Sequence, residues 1–331
     1  MAVRAHARRA AAAAPRRPLP RHRARPPPPA RAAPARGPRR RRRPRGAVRR
    51  LRPVRAARRA RPRTACRPDH QPPRRGLRPL RWAGPVTYFA RDDWLSSAAR
   101  RAYWDAYRAA YRRISEAGVA VAAVSAELLD RIAPRGPAAV VPNGVEPAEW
   151  LGPPPPAPAW LDAVPRPRAI YVGTLDERLD VAGIAALAGA CPGLSIVLLG
   201  PLPDPAYVAP LGALPGVHVH GGVGRAELVA ALRACDLALL AHRRTRLTEA
   251  MSPLKVYEYL AAGLPVLATD LPPVRGIHPR VTLLDDVAGF ADAAPATLAA
   301  GPLAEDDRTA FVAASSWEVR HRTVMDLLLR S

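Results

Sequence analysis

The chain has 331 residues, 52 basic and 27 acidic, for a net charge of +25, but residues 1–81 hold 29 of the basic residues and only one acid, Asp69. Residues 82–331 balance 23 basic against 26 acidic residues, so the basic excess belongs to the first quarter and the remainder reads as a mildly acidic globular protein of about two domains. Cys66, Cys191 and Cys235 are too few and too widely spaced for a disulfide framework or a zinc knuckle, no apolar leader follows the basic start, and the longest uncharged run, 181–203, is broken by Gly183, Gly189, Pro192, Gly193, Gly200 and Pro201, which excludes a membrane span there.

Residues 1–81 are Arg, Pro and Ala, with 16 prolines and almost no large apolar side chain. Such a composition buries too little surface to offset the entropy of ordering, which predicts a disordered segment. Three readings of it stand together. An Arg-rich arm could neutralise nucleic-acid phosphates, against which no aromatic residue precedes Trp82 and no helical period is present. It could adsorb to anionic lipid headgroups, which leaves peripheral association with the inner face of the cell membrane open. Or it is a frameshift or wrong start: all 29 basic residues are Arg, the whole chain has one Lys, and a GC-rich gene read out of frame gives Arg, Pro, Ala and Gly. The third reading is adopted.

Patterned sequence begins at Trp82. The spacing predicts a strand over 85–90, then a helix over 97–117 with Tyr103, Trp104, Tyr107 and Tyr111 on its core face. A buried strand over 119–124, a helix N-capped by Ser125 that runs to about residue 132, and a short strand over 138–141 follow. The turn Pro142-Asn143-Gly144-Val145 closes this part, and the prolines of 153–158 mark a stiff linker. The linker divides an N-terminal part, 82–150, from a C-terminal domain, 151–331. Beyond it, strands over 169–172, 195–199, 217–219, 236–240 and 265–268 alternate with helices over 181–190, 225–234 and 254–262. Short apolar strands alternating with helices predict an α/β fold with a parallel sheet covered on both faces, and ligands at the carboxyl ends of its strands.

The candidate residues therefore follow strands. Gly173 and Thr174 end the strand over 169–172, where a small residue lets a phosphate approach backbone N–H groups, and Arg178 could neutralise it; a tight turn with a solvated Arg accounts for the same residues. Ser252-Pro253 opens the helix over 254–262, with Ser252 as the N-cap. Lys255 and Glu258 lie three apart on one face of that helix, an ammonium for a phosphate and a carboxylate for sugar hydroxyls, or else an ion pair between neighbouring turns. Lys255 is the only lysine in a chain that otherwise uses Arg. Cys191 and Cys235 read as small packing residues, His218 and His220 as packing or surface residues, and Asp92-Asp93 as a capping or structural pair. No metal site is expected.

The stretch Pro253-Leu254-Lys255-Val256-Tyr257-Glu258-Tyr259-Leu260-Ala261-Ala262-Gly263-Leu264-Pro265-Val266 resembles the donor-site helix of group 1 (family 4-like) glycosyltransferases. Val141-Pro142-Asn143-Gly144-Val145, Val172-Gly173-Thr174-Leu175, Asp236-Leu237-Ala238-Leu239-Leu240 and Ser316-Trp317-Glu318 resemble further segments in the family's order. The resemblance implies a GT-B fold with a Rossmann-like donor domain and a partial acceptor domain. It also implies retaining transfer of a sugar from a nucleotide-sugar, without metal or cofactor, to a glycan or lipid-linked acceptor in cytoplasmic synthesis of cell-surface polysaccharide. Carried over residue by residue, Glu258 would bind the donor ribose, Arg178 and Lys255 the diphosphate, and Glu249, Ala250, Met251 and Ser252 the donor sugar. The sequence departs from the family in having Ala250 eight positions before Glu258 and Thr174 where a phosphate-binding Arg is common. It assigns no catalytic residue. Two alternatives stay open, a donor-domain remnant that binds nucleotide without transfer and a basic-tailed binder of nucleic acid.

Overall fold

The computed structural model describes residues 86–329. The readings made for residues 1–81, for Cys66 and for Trp82 lie outside them. The first elements are β1 (Thr87–Ala90), α1 (Trp104–Glu116), β2 (Ala120–Ala123), α2 (Ala126–Ile132), β3 (Ala138–Val140) and α3 (Pro147–Trp150). β1, β2 and β3 pair in parallel in that order, and β2, central and covered, is buried along its whole length. Ser125 caps α2 as expected, its Oγ accepting from Leu128 N at 3.2 Å.

The helix expected over 97–117 is in two pieces. Ala98–Tyr103 is a 3-10 helix, and α geometry begins only at Trp104. A 3-10 turn advances more per residue than an α turn, so the two pieces do not share one stripe. Tyr107 and Tyr111 are buried, Trp104 is half-buried and Tyr103 is exposed, so Tyr103 does not join the core.

The remaining elements are β4 (Arg168–Val172), α4 (Val181–Ala190), β5 (Ser195–Leu199), α5 (Pro205–Gly212), β6 (Val217–His220), α6 (Arg225–Arg233), β7 (Leu237–Leu240), α7 (Arg246–Ala250), α8 (Leu254–Ala261), β8 (Val266–Thr269), β9 (Val281–Leu284), α9 (Phe290–Ala299), α10 (Glu305–Ala314) and α11 (Trp317–Leu329). The six strands form one parallel sheet in the order β6-β5-β4-β7-β8-β9, a doubly wound topology in which the order reverses between β4 and β7. Alternation along β4 feeds two cores: Ile170 and Val172 pack on one face, with Trp150 and Tyr259, and Ala169 and Tyr171 on the other, with Leu187 and Phe290. Each of the larger side chains contributes about 1.5–3 kcal/mol by leaving water.

α11 leaves the second sheet and returns to the first. Ser315 O accepts from Val145 N at 2.9 Å, and Trp317 N donates to Val145 O at 3.0 Å. From there Val324 and Leu327 pack against Ala120, Ala122 and Val141 beside β2 and β3. Among the described residues no helix is long and apolar enough to cross a membrane.

Candidate functional site

At the strand-order reversal, β4 and β7 pair only at Ala169–Leu237 and Ile170–Ala238 and then part. Val172 N, left without a ladder partner, donates to the Tyr259 hydroxyl at 2.8 Å, and that hydroxyl lies 3.3 Å from the Leu239 carbonyl. Tyr259 of α8 thus seals the bottom of a crevice whose walls are the loops after β4 and β7. Gly173 forms its rim with φ +149°, and Gly200, with φ +155°, lies against it: a Cβ on Gly200 would fall 1.9 Å from the Gly173 carbonyl oxygen. Only glycine fits there, and the two strand ends approach closely as a result.

Lys255 rises from the first turn of α8 into this crevice. Its Nζ donates to the Tyr171 hydroxyl at 3.0 Å and lies 3.0 Å from His242 Nε2 and 4.2 Å from the Tyr171 ring centre. A Cβ on Gly173 would come within 2.6 Å of the same ammonium. Burial, aided by the Arg178 charge, lowers the Lys255 pKa to about 7. Burial likewise holds His242 neutral, well below its ordinary pKa, with its Nδ1 buried and unpartnered. The result is a desolvated amine whose direct partners, Tyr171 and His242, are neutral, at the carboxyl end of a parallel sheet, an arrangement that an incoming anion would stabilise.

Arg178 is held in a fork by Asp176, with Nε–Oδ1 at 2.8 Å and Nη2–Oδ2 at 2.7 Å. Burial pushes Asp176 up, yet the hydrogen bonds and charge of Arg178 outweigh it and hold the carboxyl below its usual range. The loops after β4 and β7 are tied together, since Asp180 N donates to Ala241 O and Arg243 N to Arg178 O. Arg178 therefore stands near Lys255 with its charge already shared with a carboxylate, and Thr174 is half-buried at the same rim.

Glu258, one turn along α8 from Lys255, is buried. It pairs with Arg225 Nη1 rather than with Lys255, and Arg225 also holds Glu149 Oε2 through Nε at 2.9 Å. The alternative reading of these two residues, an ion pair between neighbouring turns, is not what the structure shows.

The segment from Glu249 to Ser252 is anchored to the first sheet. Ser125 Oγ donates to Ala250 O at 2.8 Å, and Asn143 Nδ2 donates to Ser252 O at 2.6 Å. Ser252 does not cap α8: Pro253 is the N-cap, and Ser252 Oγ accepts from Asn143 N at 3.3 Å. The proline moves the helix start one residue on, which leaves the serine for the contact with Asn143. Glu249 and Met251 are half-buried on either side of Ala250, Glu249 within α7.

Residues 166–299 match the family described as glycosyl transferases group 1. Over those residues the chain is similar to that family's domain. Over 104 residues the chain is 29% identical to TuaH of Bacillus subtilis, whose name assigns it to teichuronic acid biosynthesis as a glycosyltransferase. That match takes in 31% of this chain and 26% of the relative, so the chain spans about a quarter of the relative's length. Sucrose-phosphate synthase from Thermosynechococcus elongatus is similar in structure with a TM-score of 0.57 at 18% identity, over 74% of this chain and 67% of that one. Anabaena HepE, solved in complex with UDP-glucose, has a TM-score of 0.50 at 17% identity over 74% and 70% of the two chains. These likenesses show the fold, which is of the GT-B type.

Within the part similar to that family the structure gathers Gly173, Thr174, Arg178 and Lys255 at one crevice and puts Glu258 beside it. Sequence reasoning missed Tyr171, His242, Gly200 and Arg225. Two signals were available, Gly200 closing a strand as Gly173 does, and an Arg following the glycines of 221–224. The other candidates are structural. Asp93 Oδ1 accepts from Leu95 N, its other oxygen meets Arg131, and His220 stacks on Trp160 at 4.3 Å. Among the described residues no group of His, Cys, Asp and Glu converges as a metal site.

Proposed function

We propose that the chain binds a nucleotide-sugar at the carboxyl ends of β4 and β7 and transfers its sugar, with retention, to a glycan or lipid-linked acceptor in cell-surface polysaccharide synthesis in the cytoplasm. The observation that carries this reading is the Lys255 ammonium, desolvated between Tyr171 and His242 at the rim formed by Gly173. A diphosphate placed there gives the amine a counter-charge in direct contact, which Tyr171 and His242 do not supply. In the transfer, negative charge grows on the leaving diphosphate, and a cation fixed beforehand in a partly dry site stabilises that growth more than it stabilises the bound substrate. Arg178 supplies a second cation held in place by Asp176. Glu258 accepts from the ribose hydroxyls. Backbone groups of residues 249–252, fixed by Ser125 and Asn143, meet the sugar.

Calorimetry with uridine, adenosine and guanosine diphosphates tests the site. Lys255→Ala and Glu258→Ala are expected to weaken the bound nucleotide by ten-fold or more, and unchanged affinity in both variants would remove the assignment. A second reading, nucleotide binding without transfer, is favoured by the first sheet having three strands among the described residues. Release of nucleoside diphosphate from a nucleotide-sugar in the presence of acceptor lipid would exclude it.

A further inference from the structure

We propose that Arg225 is a positioning residue that holds the Glu258 carboxylate ionised and aimed at the ribose diol of the bound nucleotide, an inference that rests on the donor reading above. Arg225 is the first residue of α6 and follows the glycines of 221–224, on the loop from β6. Its guanidinium spans three elements. Nη1 meets Glu258 Oε1 on α8, Nε and Nη2 meet Glu149 Oε2 on α3 at 2.9 and 2.5 Å, and the group lies over the buried Trp150 ring at 5.3 Å. The Arg225 side chain is 42% exposed while that of Glu258 is 7% exposed, so the cation reaches in from the surface to a carboxylate that cannot reach out.

A buried carboxylate alone favours its neutral form, since removing a charge from water without a partner is costly. Burial is the largest influence and leaves Glu258 above its ordinary range; the charge and hydrogen bond of Arg225 offset part of that rise, Glu149 adds to it and Lys255 lowers it. The distinction matters for a diol. Two vicinal hydroxyls donate two hydrogen bonds, which an ionised carboxylate can accept, whereas a protonated carboxyl spends one oxygen as a donor. Arg225 engages Oε1, and no hydrogen bond from the described residues reaches Oε2. A guanidinium held on Glu149 and lying over Trp150 also meets Glu258 from a fixed side.

The test uses the full chain and the 5′-diphosphates of uridine, adenosine and guanosine, each beside its 2′,3′-dideoxy counterpart. Titration calorimetry at pH 7 gives a ratio of the two affinities, which isolates the contact between diol and carboxylate from the phosphate contacts. Wild type is expected to prefer the ribonucleotide by ten-fold or more. Arg225→Gln is expected to bring the ratio within about two-fold and to recover it as the pH is raised, since alkaline solution drives the carboxyl to its ionised form. Arg225→Lys keeps the charge, protects against loss of the fold and cannot hold both carboxylates, so it should lower the ratio at least three-fold. A guanidinium that merely staples α3 to α6 would weaken both nucleotides alike, and an unchanged ratio in either variant overturns the inference. If wild type binds none of the nucleotides, the donor reading itself fails; if it binds them without preference, the diol has no carboxylate to read it, and the inference falls together with the ribose role of Glu258 while the phosphate site at Lys255 stands.

Discussion

Lys255 combines two demands on one side chain, packing among Tyr171, His242 and Gly173 and carrying charge for a ligand. Its pKa of about 7 lies below its ordinary value of 10.5. The folded protein therefore binds fewer protons than the unfolded chain between those limits, and stability rises with pH across that window. Lys255→Met, of similar volume, is expected to be more stable than wild type at pH 6, with the gap closing toward pH 10 in thermal melts. Ligand binding has the opposite slope. A diphosphate selects the protonated amine, so its affinity should fall above pH 7, by up to about ten-fold per unit, and lose this dependence in Lys255→Met. Gly200→Ala should lower stability by about 2 kcal/mol or more, because its Cβ meets the Gly173 backbone and neither strand end can yield; chemical denaturation would show it.

Among the elements, the loop from α7 to α8 depends on a contact made 109 residues away. Asn143 Nδ2 satisfies the Ser252 carbonyl, and the Asn143 N–H meets the Ser252 hydroxyl. Asn143→Ala leaves that carbonyl unpaired and should cost about 1–3 kcal/mol in urea unfolding, with weaker nucleotide binding as the loop loosens. Arg308 of α10 does the same for helix ends: it is 2% exposed, and Nη1 donates to the carbonyls of Trp150 at 2.7 Å and Ala261 at 2.8 Å, the last residues of α3 and α8. Arg308→Met removes both bonds and should cost about 3 kcal/mol or more by the same measurement.

At the scale of the molecule, α11 joins the two sheets. Val324 and Leu327 are buried against residues of the first sheet, while the chain enters α11 through the Val145–Ser316 bridge. The double substitution Val324→Ala and Leu327→Ala should destabilise by about 3–5 kcal/mol. It should also make the first sheet unfold before the second, seen as two transitions in place of one. The GT-B arrangement then follows from connectivity: each sheet covers its own faces with helices, and the last helix crosses back.

The sequence alone determined the alternation of strands and helices, the parallel sheet of the second half and the segment around Lys255 and Glu258, because period, caps and turn residues are local properties. Strands such as Ser195–Leu199 and Leu237–Leu240 are short apolar runs that any buried parallel sheet requires. Other elements were hidden by their own composition. α5 and α9 carry internal prolines, Pro210 and Pro295, and α7 is five residues long, so none shows the usual helical signal. The partners of the site residues were decided only by the tertiary structure. Arg178 pairs with Asp176 two residues away, but Lys255 meets Tyr171 across 84 residues, Glu258 meets Arg225 across 33, and Ser252 faces Asn143 instead of capping its helix. Spacing along a helix places side chains on a face; which charge lies opposite depends on desolvation and on the strand order, and both exist only once the sheet has closed.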